Sequence, residues 1–417
     1  MTKYTANTCV VIRQLSRQQE GQEFIIGRAD TSTFLVLPAD AVEILDYLAT
    51  GITIGEAQSL YQIKYNEIPD IQDLLSILED AGFVEPIIDG IGKRNKGNIK
   101  EVGRLHKAEP VITRYHFNRI PQAFAQKLFS RPVLYGCSLL IGLSLFLLIL
   151  EPSILPTWNA LFFSQNLTLM RILLTVMNYL ALFLHEMAHL VAARSVGVSS
   201  RLGIGNRLWF LVAETDMTGI WSVPREQRYL PLLAGSLLDA TSAAVIVLIL
   251  YAHHQQWLPL HPIAHQFSQA MLLIYLIRLL WQCFLFVRTD FYFVIANYFG
   301  CKNLMKDTEV FLRNLVVGTL KKKNRINQAH IPKSEMQVIR WYALIWIMGR
   351  LVAFYVFIFI TLPLFWNYTL QISSILSIGY RVNSYAFVDA IVMSIITVGP
   401  MLAGFWLWIH NSRKLLR

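Results

Sequence analysis

Residues 178–198 read NYLALFLHEMAHLVAARSVGV, and the architecture turns on how this stretch is read. Apart from one short cluster it is an apolar run of the kind that crosses a bilayer as a helix. The cluster is His185, Glu186 and His189, in the pattern HExxH. On a helix, residues four apart share a face, so both imidazoles can reach one metal ion while Glu186 stands beside it. The bland reading of HExxH is a stray pair of histidines on a charged surface helix. Inside an apolar span, ionisable groups are costly unless they do something, so the pattern points to a metal centre at membrane depth.

Composition agrees with a membrane setting. Of 417 residues, 54% are hydrophobic and only 15% charged, too apolar for a soluble chain of this length. The start, MTKYTANTCVVIRQLSRQQEGQ, lacks the charged, apolar and small-residue regions of a secretory signal, so the amino terminus is expected in the cytosol. Net charge is +10, unevenly spread: residues 1–90 hold five Lys/Arg against fourteen Asp/Glu, about −9, leaving about +19 for the rest. The positive charge flanks apolar stretches, where it suits anionic lipid rather than nucleic acid. Cys9, Cys137, Cys283 and Cys301 form no CxxC pair, which argues against a disulfide framework and against a thiolate metal site.

The pattern predicts a multi-span α-helical membrane protein of about six transmembrane helices, preceded by a small cytosolic α+β domain. The spans fall near 132–150, 169–196, 230–252, 268–298, 339–364 and 386–410. With both termini inside, nearly all Lys and Arg outside the spans lie on the cytosolic side; the outer loops near 151–168 and 253–267 contain none, and Arg381 is the clear exception. Three divisions follow: 1–90 as the small domain, 91–131 as a basic linker ending in an interfacial helix, and 132–417 as the membrane domain, with its core at 169–300.

Two histidines leave a catalytic metal one protein ligand short. Asp290, toward the cytosolic part of the fourth span, stands at a depth compatible with His189 and is the expected third ligand; its alternative is an ion pair with Arg288. His253, His254, His261 and His265 offer a rival cluster, but in an outer loop.

HExxH on one span with an aspartate on a later one resembles the site-2 protease family of intramembrane zinc metalloproteases. The family's second motif, NxxPxxxLDG, becomes QCFLFVRTDF at 282–291, with Gln282 for Asn, Leu285 for Pro and Phe291 for Gly. RTDFYF is nearer to the peptide zinc metalloprotease branch. LPLLAGSLLDATSA, 230–243, is similar to the family's LAGPxxN segment, with Ser236 for Pro and Asp239 for Asn. The resemblance covers roughly 169–300. It implies one Zn2+ per chain held by His185, His189 and Asp290, with Glu186 as the catalytic carboxylate and Gln282 donating a hydrogen bond to the substrate carbonyl. Asp216 and Asp239 are possible accessories or simply structural groups. Between the motifs, 199–226 alternates like a hairpin or a sheet at the membrane edge, to which an extended substrate can add as a strand.

In the acidic first domain, EFIIGRA and TFLVL read as strands, and ADAVEILDYLAT and IPDIQDLLSILEDAGF as helices. FIIGRADTSTFLVLPADAVEILDYLATGITIGEAQSLYQ, with IQDLLSILEDAGFVEP closing the pattern, resembles the PqqD-like leader-recognition domain, a winged-helix-like fold. That implies a peptide added beside the hairpin near Phe34, Leu35 and Val36; a generic winged helix for dimerisation is the alternative. The function expected is endoproteolysis, at a site opening to the cytosol, of a precursor or membrane-associated peptide, as in leader processing of a ribosomally made modified peptide. The alternatives are regulated cleavage of a transmembrane anti-sigma factor or signal-peptide remnant, and a non-catalytic membrane binding or immunity protein. Membrane lipid and a peptide or membrane-protein substrate are the expected partners; the sequence leaves the oligomeric state open.

Overall fold

The computed structural model describes residues 4–21, 23–28, 33–86, 104–105, 113–116, 120–161, 167–207, 210–301, 303–320, 326–328 and 331–415. The chain is mostly helical and falls into two compact units.

The first unit is formed by residues 1–109 with 198–200 and 217–228. Its helices are α1 (Ala39–Ala49), α2 (Ile54–Tyr65) and α3 (Ile71–Asp80). α2 opens with a capping box, in which Thr53 N–H donates to Glu56 Oε2 at 2.8 Å and Thr53 Oγ1 accepts from Glu56 N–H. Asp70 caps α3. β1 (Val10–Ile12) pairs antiparallel with β5 (Val84–Pro86). A second antiparallel sheet has the order β2 (Ser16–Glu20), β3 (Glu23–Arg28), β4 (Thr33–Pro38), β6 (Arg104–Leu105). The apolar faces of the helices and strands meet in one core that includes Ile26, Leu35, Leu45, Leu48, Leu75, Leu78 and Phe83.

The expected strand addition concerns Phe34, Leu35 and Val36 of β4. Phe34 and Leu35 are fully buried. Phe34 stands opposite Gly27, its ring filling the space a Cβ there would need. Only Val36 of the three is partly exposed. The main-chain edge of β4 is also taken at two positions, where Phe34 pairs with Leu105 and Leu35 with Arg104. Most of the 91–131 linker lies outside the described residues; its expected interfacial helix is short, α4 (Gln122–Leu128).

Segment 217–228 joins the first unit through Arg228. This guanidinium is buried, pairs with Glu20 at the end of β2, donates to the carbonyls of Val223 (2.9 Å) and Trp221 (3.2 Å), and stacks 4.9 Å from the Trp221 ring. Its desolvation is tolerable because its charge and donors are met on several sides.

The second unit carries the apolar helices: α5 (Arg131–Leu150), α6 (Leu167–Ser195), α7 (Arg225–His254, in this unit from Tyr229), α8 (Pro262–Gln282), α9 (Asp290–Phe299), α10 (Leu304–Leu320), α11 (Lys333–Val356), α12 (Leu362–Ile378) and α13 (Ser384–Leu415). Among the described residues five helices are long and apolar enough to cross a membrane: 122–150, 172–195, 225–254, 262–282 and 333–359. The chain is therefore read as a membrane protein. The expected sixth span lies on α13, where only 387–396 stands out as a shorter apolar stretch.

The expected fourth span, 268–298, is two helices. α8 stops at Gln282 and α9 starts at Asp290 after a turn segment. No glycine or proline announces the break in 283–289. Its polar backbone is satisfied locally: Thr289 donates to Gln282 O at 2.9 Å and caps α9, and the Tyr342 hydroxyl donates to Leu285 O at 2.7 Å. Non-helical backbone among apolar helices persists only where such partners exist.

The unit also holds a three-stranded antiparallel sheet, order β7 (Thr113–His116), β8 (Arg201–Arg207), β9 (Phe210–Asp216). The anticipated hairpin is β8–β9, and β9 is an edge strand, with no strand on its outer side among the described residues.

Replacing Glu20 with Ala leaves the buried Arg228 charge without its carboxylate. The expected loss is about 3–5 kcal/mol of stability, measured as faster amide exchange in peptides covering 16–28 and 217–228; unchanged exchange there would contradict the anchoring.

Candidate metal centre

α6 carries His185 and His189 four residues apart, both buried. Asp290 is the first residue of α9, and its position is fixed from both sides. Thr289 caps the helix, and Asp290 N–H donates to Gln282 Oε1 at 3.0 Å. The three side chains converge: His185 Nε2 lies 3.2 Å from His189 Nε2, and each of these nitrogens lies 3.3 Å from Asp290 Oδ2.

These distances suit a metal. Donors bound at about 2.0–2.1 Å to one tetrahedral ion lie roughly 3.3–3.4 Å apart. The hydrogen-bond pattern points the same way. His185 Nδ1 faces Asp239 Oδ2 at 2.9 Å and His189 Nδ1 faces the Pro231 carbonyl at 2.7 Å. Both partners are acceptors, so the outer nitrogens carry the protons, and the inner Nε2 atoms present lone pairs. Two lone pairs and a carboxylate oxygen packed this closely repel one another unless a proton or a metal cation lies between them. Among the described residues this is the only group of His, Cys, Asp or Glu side chains arranged to hold an ion. The structure thus contains a buried His-His-Asp site that could hold a metal.

α7 closes one side of it. A Cβ on Gly235 would come within 2.5 Å of both Nε2 atoms, so the absence of a side chain there keeps open the space within bonding range of the donors. Ser236 donates to Asp290 Oδ2 at 2.8 Å. Asp239 is buried and is itself matched by Arg278 of α8, whose Nε donates to Oδ2 at 3.1 Å and Nη2 to Oδ1 at 3.3 Å. The inner ligands are thus oriented by hydrogen bonds from a surrounding layer.

Of the sequence-predicted residues, His185, His189 and Asp290 come together, and Asp239 supports them. Glu186 is half-buried in the same turn of α6, and its main-chain oxygen accepts from Thr215 of β9 at 2.9 Å. The side-chain Oε1 of Gln282 accepts from the Asp290 N–H, which gives that residue a positioning task. Asp216 ends β9 opposite Arg201 and is not part of the cluster. His253 and His261 accept main-chain N–H groups at the start of and just before α8. Gly235 and Arg278 were not anticipated. For Arg278 a signal existed, since a lone cation in an apolar helix needs a partner, and Asp239 is the lone carboxylate in the apolar part of α7. For Gly235 none did.

Comparisons of the chain with protein-family models, with curated proteins and with solved structures return no match.

Gly235→Ala is expected to lower metal occupancy at least tenfold, measured by elemental analysis of the purified protein. Alanine favours helix, so helical content by circular dichroism should stay the same. Full occupancy in that variant would show that the space beside Gly235 is not needed by the ion.

Proposed function

We propose that this chain is a zinc endopeptidase working inside the cell membrane, similar to the site-2 proteases and their peptide zinc metalloprotease branch. The observation that carries this reading is the convergence of His185, His189 and Asp290 on one point, with Glu186 on the same apolar helix. The full arrangement proposed has about six spans, both termini in the cytosol, the site opening to the cytosol, and a winged-helix-like amino-terminal domain. Zn2+ is favoured over harder cations because two of the three ligands are imidazoles.

In the proposed reaction, His185, His189 and Asp290 would hold the ion, which would supply Lewis-acid polarisation of the scissile carbonyl and of the attacking water. Glu186 would take a proton from the attacking water and return it to the leaving nitrogen. Asp239, held by Arg278, fixes the His185 ring, and Gln282 fixes the Asp290 backbone. Peptide hydrolysis needs an extended substrate, because helical hydrogen bonding shields the carbonyl. The outer edge of β9 offers main-chain partners for such a strand, and β9 ends where Thr215 grips the Glu186 backbone. An extended peptide laid along β9 is in this way led to the catalytic carboxylate.

The substrate proposed is a precursor or membrane-associated peptide, delivered through the amino-terminal domain as in leader processing. The edge of β4 is the docking place, contributing main chain from Phe34 to Pro38, with the Val36 side chain toward the peptide.

Glu186→Gln should retain its metal yet cut a reconstituted candidate precursor about 10²–10⁴-fold more slowly; cleavage at the wild-type rate would sink the mechanism. Recruitment is tested separately. Proline at both Arg104 and Leu105 removes the donors with which β6 pairs, and affinity for the precursor, read by calorimetry, should rise. Unchanged affinity would place docking elsewhere.

A further inference from the structure

α10 and α11 lie side by side and run parallel. Leu304 and Met305 pack with Ile339 and Tyr342 at one end, and further along Leu312, Arg313 and Val316 face Trp346 and Arg350. Between them is an open groove of about 600 Å³ lined by Glu309, Leu312, Arg313, Val316, Trp346 and Arg350.

The level of this groove relative to a bilayer follows from helix length and charge. α11 continues through a π-helical turn, Phe357–Thr361, into α12, so the helix runs without interruption from Lys333 to Ile378. At 1.5 Å per residue that is roughly 70 Å, more than twice the ~30 Å hydrocarbon thickness. Part of it must stand outside. Residues 333–359 are the candidate span on this helix, and 351–378 contain no Asp, Glu, Lys or Arg. α10, running alongside, leads directly into the sequence KKKNR at 321–325, whose charges belong in water or among headgroups. The basic run after α10 and the candidate span on α11 set the groove beside a membrane border, and Trp346 fits the aromatic belt found there.

The chemistry of the groove then selects its occupant. Arg313 and Arg350 have no carboxylate within ion-pair distance among the described residues. Arg350 stacks on the Trp346 ring at 4.9 Å. The indole Nε1 of Trp346 is buried and meets no acceptor among the described residues. Two guanidiniums call for an anion rich in acceptor oxygens, while Leu312, Val316 and the indole face supply an apolar wall. A water-soluble phosphate would leave that wall unused.

We propose that this groove holds the headgroup of an anionic phospholipid, with Arg313 and Arg350 on the phosphate and the acyl chains continuing along the uncharged helix beyond Leu351. Glu309, on the same wall, opposes the two cations and limits the strength of the site. The site is distinct from the metal centre and independent of whether the chain cleaves peptides.

The test uses the full chain purified in detergent, with lipid retention measured by native mass spectrometry against phosphatidylglycerol and phosphatidylcholine. Wild type should retain phosphatidylglycerol with roughly tenfold preference. Arg313→Gln with Arg350→Gln should abolish the preference, Arg313→Lys with Arg350→Lys should keep most of it, and Glu309→Gln should increase it. Metal content, unchanged across the series, reports that the variants are folded. Equal retention of the two lipids by wild type overturns the proposal, as does a full preference in the double glutamine variant. Displacement of the bound lipid by millimolar inorganic phosphate alone would also overturn it, by showing an anion site indifferent to the apolar wall.

Discussion

Three electron-pair donors crowded within 3.2–3.3 Å of one another, among apolar helices, form the constraint on which the second unit depends. Such a group is unfavourable by itself, so each member is held from outside. α6 gives the two imidazoles at helical spacing. α7 supplies the Pro231 carbonyl, the bare backbone at Gly235, the Ser236 hydroxyl and the Asp239 carboxylate. α8 supplies Arg278 and Gln282, and α9 begins at the third donor. Charge is balanced in layers: the Asp239 carboxylate behind His185 is matched by Arg278, which leaves Asp290 as the carboxylate turned toward the two imidazoles. The interior polar groups of these helices are thus one connected network, and connected networks in a low dielectric are rigid because each member's partner is itself fixed.

The parts of this network that the sequence exposed are those whose spacing is set by helix geometry. His185, Glu186 and His189 are readable because an i, i+4 pair needs only one helix, and Asp290 because depth along a span can be counted. The supporting parts depend on which helices become neighbours. That Asp239 meets Arg278 is a fact of packing, although two lone charges in apolar helices were a visible clue. That Gly235 must lack a side chain could not be read at all, since the reason is a pair of imidazoles about fifty residues earlier in the chain. The break between α8 and α9 was hidden for a different reason. Neither Gly nor Pro marks it, and it persists because Gln282, Thr289 and Tyr342 satisfy the backbone.

The amino-terminal unit shows the same division. The helices and the β3–β4 hairpin follow from periodicity and from caps such as Thr53 and Asp70. β2, SRQQE, is too polar to announce itself as a strand, and β1 and β5 are each only three residues long. Whether Phe34 and Leu35 are covered could not be read, because alternation alone does not say which face is packed. The structure covers both, Phe34 by packing over Gly27. Arg228 lies far from the first domain in sequence and so fell outside the boundary drawn there, yet its partners Glu20 and Trp221 make it part of that unit.

The two-residue pairing of β6 on β4 makes the chain a competitor for its own sheet edge. Because β6 belongs to the same chain, its pairing with β4 is intramolecular, and such a partner faces the edge at an effective concentration on the order of millimolar. A peptide at micromolar concentration therefore cannot displace it through an equal number of backbone pairs. It succeeds only by pairing over a longer stretch, past Leu35 toward Pro38, or by adding side-chain contacts that Arg104 and Leu105 lack. Such an edge would discriminate by length: brief extended segments, which any unfolded chain displays, would be turned away, and only a sustained strand would gain entry.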